Sequence, residues 1–242
     1  MRGFTFYIFL ILLLPVSCKK PGCLGKAGPA GSRTVTPGSF SKVRLENNID
    51  LVLVQGDTNS ATIEGPLNII DNISFNIAEG LLTINNESSC QWARDPDERV
   101  TVRLTFTSID KLEYAGNGQV TNKDTLHLDA FLIESYTGAG DVELTVDNRY
   151  TGVFVHLENA SVKMHGQSIQ CNTYTNSRGL TDLDDFRVKN MAIEYGGLGD
   201  TFINVTDQLE ATVYYKGNIY YKGNPVITRM VKYSSGALIS RP

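Results

Sequence analysis

The side chains best suited to chemistry in this chain are three aspartates, Asp182, Asp184 and Asp185, and a tyrosine-rich run from Tyr214-Tyr215-Lys216 to Tyr220-Tyr221-Lys222. Asp182 and Asp184 alternate with Thr181 and Leu183, so in a strand both carboxylates face outward. Such a pair suits glycoside hydrolysis, or oxygen ligation of a hard cation such as Ca²⁺. The competing reading is a solvated strand face. In the tyrosine run, outward Tyr214 and Tyr220 with Lys216 and Lys222 beside them make a face able to stack on sugars or anchor a protein contact. Against this, one Tyr of each pair belongs to the core and the other only covers the strand. Trp92, the single tryptophan, stands near Arg94, Asp95 and Asp97, either as a contact residue or as a plug over the start of the fold.

Other chemistries find little support. His127, His156 and His165 fall into no His-x-x-x-His pattern, and the four cysteines form no Cys-x-x-Cys, so no metal site is expected. The nucleophile-elbow spacing Gly-x-Ser-x-Gly is absent. No cofactor is implied. The Gly-x-Gly turns recur without a following helix and without the full phosphate-cradle spacing, so they read as corners. A net charge of −4 argues against a nucleic-acid partner.

The glycines define the architecture. Gly118, Gly140, Ala160, Gly179, Gly199, Gly217 and Gly236 follow one another at steps of 22, 20, 19, 20, 18 and 19 residues. Two positions after each stand Val120, Val142, Val162, Thr181, Thr201, Ile219 and Leu238. Period-2 alternation continues from them, as in Val142-x-Leu144-x-Val146, and a second alternating stretch such as Val153-x-Val155 closes each repeat. No capped 3.6-residue apolar stripe interrupts this. The spacing is half that of a propeller blade and lacks a leucine-rich ladder. The sequence therefore predicts an all-β parallel β-helix of about 20-residue coils, with small residues placed for tight or left-handed turns.

The N-terminus reads as an export signal over residues 1–17: Arg2, then an uncharged apolar run, then Ser17 before Cys18. Leu13-Leu14-Pro15-Val16-Ser17-Cys18 resembles a bacterial lipobox, which makes Cys18 the expected lipidation site and the membrane a partner through that anchor. Lys19, where an Asp would favour inner-membrane retention, points to the outer membrane, on either its surface or its periplasmic side. Residues 18–37, rich in Gly and Pro, read as a flexible tether. Three cysteines remain after lipidation. Cys23 in the tether and Cys90 in an irregular stretch are placed to pair, whereas Cys171 lies in an alternating segment as a buried thiol. Residues 38–242 form one β-helix domain, with less regular first coils at 38–108 that can cap an open end, and regular coils at 109–240.

Several segments carry a family resemblance. They are Ile49-Asp50-Leu51-Val52-Leu53 followed by Gln55-Gly56-Asp57, Gly80-Leu81-Leu82-Thr83-Ile84, the Gly-Asn-Gly, Gly-Ala-Gly-Asp and Gly-Leu-Gly-Asp turns, and the ending Gly217-Asn218-Ile219-Tyr220-Tyr221-Lys222-Gly223-Asn224-Pro225. On these, the chain resembles bacterial lipoproteins described as putative auto-transporter adhesin, head GIN domain, from about Gly38 to Ile239. The resemblance implies a right-handed parallel β-helix and carries no catalytic residues. The turns at Asn159-Ala160-Ser161 and Ser177-Arg178-Gly179 depart from the glycine pattern.

The expected function is a non-enzymatic envelope lipoprotein that binds a glycan or an envelope protein through Tyr214, Lys216, Tyr220, Lys222 and Trp92. The alternatives are a carbohydrate-active β-helix enzyme, which would need long loops over one face, and a periplasm-facing scaffold.

Overall fold

In a computed structural model the chain is described over residues 28–89, 99–157 and 159–242. The repeat predicted from glycine spacing is a β-solenoid of about six turns. Its regular coils are β11 (Asp141–Val155), β12 (Ser161–Thr175), β13 (Thr181–Tyr195) and β14 (Thr201–Val213), each a long strand bent once near its middle. The bend falls near Arg149, Ile169 and Lys189, which drop out of the ladder while residues on both sides stay paired in parallel. Each coil thus contributes a rung to two walls.

Burial explains why the walls hold register. The inward row of the first wall runs Val102, Leu51, Val120, Val142, Val162, Thr181, Thr201 and Ile219, and all are buried. The row of the second wall runs Leu82, Val43, Leu112, Ile133, Val153, Thr173, Ile193 and Ala211, also buried. A one-residue slip would turn either row to solvent, at a cost of roughly 1.5–3 kcal/mol per Val, Leu or Ile. Threonine at Thr181 and Thr201 is tolerated because both hydroxyls have partners: that of Thr201 donates to the Thr181 carbonyl at 2.6 Å, and that of Thr181 lies 3.2 Å from the Thr175 hydroxyl.

The first coils stack out of chain order. The chain enters with β1 (Ala30–Val35), then β2 (Lys42–Asn47) and β3 (Ile49–Gln55). It continues through β4 (Ser60–Pro66), the short helix α1 (Leu67–Ile70), β5 (Ile73–Ala78), β6 (Leu81–Asn86) and β7 (Val100–Phe106). It then forms β8 (Lys111–Gly116), β9 (Val120–Asn122) and β10 (Leu126–Ser135). Strand β2 pairs with both β6 and β8, and β3 with both β7 and β9. The earliest coil is therefore clamped between two later ones.

Beyond it, β4 runs antiparallel to β7, β1 antiparallel to β4, and β5 antiparallel to β6, and these close the N-terminal end. Part of the expected tether is thus corrected: Ala30–Val35 is a strand, because Val35 packs against the core and Arg33 donates to the Ile70 and Ile73 carbonyls at 2.9 and 2.7 Å.

The other end is bare. There β15 (Ile219–Lys222), β16 (Val226–Lys232) and β17 (Leu238–Ser240) finish the walls, and Val226, Ile227 and Met230 on β16 remain exposed.

The turn glycines serve a different purpose from the one expected. Positive φ occurs at Gly28, Gly65, Gly80, Gly166 and Gly223, none of them in the repeating turn. A Cβ on Gly118, Gly179, Gly217 or Gly236 would instead overlap a backbone carbonyl oxygen of the neighbouring coil, namely that of Ile49, Ala160, Gly199 or Gly217. The requirement is close approach between stacked corners, not left-handed backbone. Gly199 is the exception, with nothing within 4 Å of such a Cβ.

Candidate binding cleft at a solenoid corner

Where the second wall turns back toward the first, Tyr136, His156, Asn176, Gly196, Tyr214 and Tyr233 occupy the same position on six successive coils. The ladder fixes this equivalence. The backbone N–H groups of His156, Asn176, Gly196, Tyr214 and Tyr233 donate to Ser135, Val155, Thr175, Tyr195 and Val213 respectively, each one coil back. The column is aromatic at both ends and empty in the middle. Tyr136 lies flat on His156, with centroids 4.0 Å apart and planes within 2°. Tyr174 tilts against His156 at 5.3 Å. At the other end Tyr214 lies flat on Tyr233, 5.4 Å apart and within 6°. His156 and Tyr214 stand three rungs apart, roughly 14 Å at the usual strand spacing.

Asn176 and Gly196 leave that interval open as a cleft of about 850 Å³. Tyr174 and Leu157 line one side, and Leu198, Tyr214 and Tyr215 the other. Asn159, Asn176, Ser177 and Arg178 supply polar groups. Leu157 and Leu198 are 70% and 58% exposed, so the rim is apolar and unsatisfied by the fold itself. Gly196 matters by having no side chain. A Cβ there would meet first the Asn176 Oδ1, at 2.9 Å, the free end of an exposed side chain.

The walls are held in place electrostatically. The Tyr214 hydroxyl donates to Glu194 Oε2 at 2.8 Å, which pushes the phenol above its ordinary value. The Tyr136 hydroxyl donates to Glu134 Oε1 at 2.9 Å. Burial raises the Glu134 carboxyl, but the hydrogen bonds from Lys111 and Tyr136 outweigh it and the net shift is downward. His156 Nε2 lies 3.6 Å from the same Glu134. Inside the turns, Tyr195 donates to the Gly199 carbonyl at 2.8 Å and Tyr114 to that of Gly118, tying each corner to its own strand.

The structure divides the residues singled out in the sequence. Tyr214 is in the cleft wall, and Lys216 stands beside it with its ammonium 5.7 Å from the Tyr215 ring centre. Tyr220 and Lys222 are elsewhere, on the outer surface of the first wall. Tyr220 stacks on Phe202 at 5.5 Å, and Arg241 lies over Phe202. Lys222 Nζ lies 3.2 Å from Asp184. The separation follows from Gly217 and Asn218, which carry the chain around the corner between the two tyrosines. Cys18, Cys23, Cys90 and Trp92 lie outside the described residues.

The aspartates do face outward, and Asp184 and Asp185 lie against basic side chains. Asp184 is ion-paired with Lys222 and Arg241, Asp185 Oδ2 lies 3.7 Å from His165, and Asp182 accepts the Asp184 backbone N–H. Among the described residues no three His, Cys, Asp or Glu side chains are grouped to hold a metal. No carboxylate is among the described residues lining the cleft. Cys171 is fully buried, and burial pushes its thiol up to about 12.

Sequence reasoning missed Tyr174, Asn176, Arg178, Gly196 and Tyr215. The signal was available. In the glycine register the column sits three or four residues before each turn, and reading down it gives Tyr, His, Asn, Gly, Tyr, Tyr.

No curated protein matches this sequence. Solved structures do resemble the fold. A putative adhesin from Bacteroides fragilis NCTC 9343 superposes with a TM-score of 0.79 at 21% identity, over 88% of this chain and 97% of that one. A putative lipid binding protein from Parabacteroides distasonis ATCC 8503 gives 0.64 at 13% identity, over 89% and 98%. A putative adhesin from Parabacteroides merdae ATCC 43184 gives 0.58 at 18%, over 88% and 97%. At these identities the likeness is one of fold. In sequence, the family model described as putative auto-transporter adhesin, head GIN domain, matches residues 39–225, and the chain belongs to that family.

Proposed function

We propose that this chain is a non-enzymatic, adhesin-like protein of the cell envelope that holds a glycan in the corner cleft. The observation that carries this is the interrupted aromatic column. Two ring stacks face one another across two rungs that bear only Asn176 and Gly196. Sugar rings stack on aromatic faces through their C–H bonds, and their hydroxyls take the amide groups that Asn159 and Asn176 offer. Support for a non-catalytic role comes from the lining, which has no carboxylate pair among its described residues. Lipidation at Cys18 would anchor the solenoid to the outer membrane through the residues preceding β1.

The test is a glycan array probed with the mature protein and with Gly196→Phe. That substitution fills the empty rung while keeping every lining side chain. Binding that Gly196→Phe abolishes supports the proposal. Binding that survives it places the ligand on another surface, and binding to no glycan removes the glycan reading altogether.

A further inference from the structure

We infer that the glycan recognised by this cleft is acidic, carrying a uronic acid carboxylate that Arg178 receives. The inference rests on the glycan reading above and adds the charge of the ligand. Arg178 is exposed, projects from the turn that follows Asn176, and lines the cleft. Among the described residues it makes no ion pair. Several other cations of this chain's outer faces are committed to carboxylates. Arg149 is paired with Asp129, Arg44 with Glu113, Lys111 with Glu134, Lys163 with Glu143, and Lys222 and Arg241 with Asp184. Lys216, on the opposite side beside Tyr215, likewise has no carboxylate partner among the described residues.

The described lining of the cleft therefore carries one cation, Arg178, and no carboxylate, in a chain whose net charge is −4, while Glu194 at its edge is engaged by the Tyr214 hydroxyl. General electrostatic attraction of anions cannot account for it, because the molecule as a whole repels them. An unpaired guanidinium between aromatic walls is instead a local receptor. Its planar fork matches a carboxylate bidentately, and the pair gains strength where rings exclude water. A neutral sugar would leave that fork solvated and unused. The geometry suits one acidic pyranose stacked on Tyr214 or Tyr174 with its carboxylate turned toward the Arg178 corner.

The test uses the mature protein with oligomers of galacturonate, alginate and hyaluronate, each beside its carboxyl-reduced counterpart, together with neutral oligosaccharides and phosphatidylglycerol vesicles. Calorimetric titration should show at least one acidic oligomer binding about tenfold or more tightly than its reduced form, the range expected for a charged hydrogen bond. Arg178→Ala should erase that difference by weakening only the acidic form. Because Arg178 is exposed and makes no ion pair among the described residues, its melting curve should match wild type. Equal binding of acidic and reduced forms, lost in Gly196→Phe but not in Arg178→Ala, overturns the acidic inference and leaves glycan binding standing. Binding to vesicles alone, or to none of the probes, overturns both.

Discussion

The ring of Tyr214 lies on that of Tyr233, 5.4 Å away and parallel within 6°, so one of its faces is backed and the other looks over the side-chain-free rung at Gly196. Tyr233 is not part of the cleft lining, yet it fixes the plane that a ligand would meet. Tyr233→Ala should weaken glycan binding about 3- to 10-fold, the worth of one aromatic pair, without altering which glycan is chosen. Titration of the variant against the best array ligand checks this, and an unchanged affinity would show that Tyr214 needs no backing.

The corner glycines separate into two kinds. At Gly217 a methyl group would overlap the Gly199 carbonyl, and at Gly199 it would meet open space. Gly217→Ala should therefore cost about 1–3 kcal/mol by forcing two coils apart. Gly199→Ala should be neutral, or stabilising by up to about 1 kcal/mol through the unfolded chain. Urea unfolding of the two variants side by side decides it, and equal destabilisation would refute the close-approach account.

Acid should destabilise the protein through two carboxylates. Hydrogen bonds from His165 and Lys163 lower the Glu143 pKa below its ordinary 4.5. Glu134 is lowered too, its burial outweighed by Lys111 and Tyr136. A carboxylate depressed in the folded state stabilises above its unfolded value, and that contribution is lost as pH falls through the folded value. The melting temperature should be level above about pH 5 and decline below it. Glu134→Gln should start lower at neutral pH and decline less steeply.

The thiol of Cys171 should be inert while the solenoid is intact. It is fully buried, and with its pKa near 12 it presents almost no thiolate at pH 8. Alkylation at Cys171, located by peptide mass spectrometry, should run on the order of a thousandfold slower in native protein than in urea. Rapid native labelling would mean that the coil around β12 opens readily.

The solenoid was readable from Gly118 to Gly236 because the need that places most of those glycines is periodic: coil after coil approaches its neighbour at the same corner, with Gly199 the exception. The inward Val142, Val162 and Ile219 followed from the same period. The clamped coil was not readable, since nothing local in Leu51 or Val43 records that its two neighbours come from residues 81–106 and 111–122. Strand β1 escaped notice because Gly31 and Ser32 look like linker, while its partner, β4, lies some 30 residues away. The cleft was half legible. Tyr214 stood out in its tyrosine–lysine run, but Gly196 and Asn176 act by being small, and a missing side chain is visible only when coils are aligned.

The clamped coil also governs how the molecule bears tension. Strands β16 and β17 form a terminal edge and can be unzipped one rung at a time. At the opposite end a pull on the chain before β1 first peels β1 from β4 and then reaches β2 and β3, each gripped by a neighbour on either side. Neither strand can leave without shearing two ladders together. A protein held by its N-terminus and tugged by what it grips would thus meet its greatest mechanical resistance next to its point of attachment.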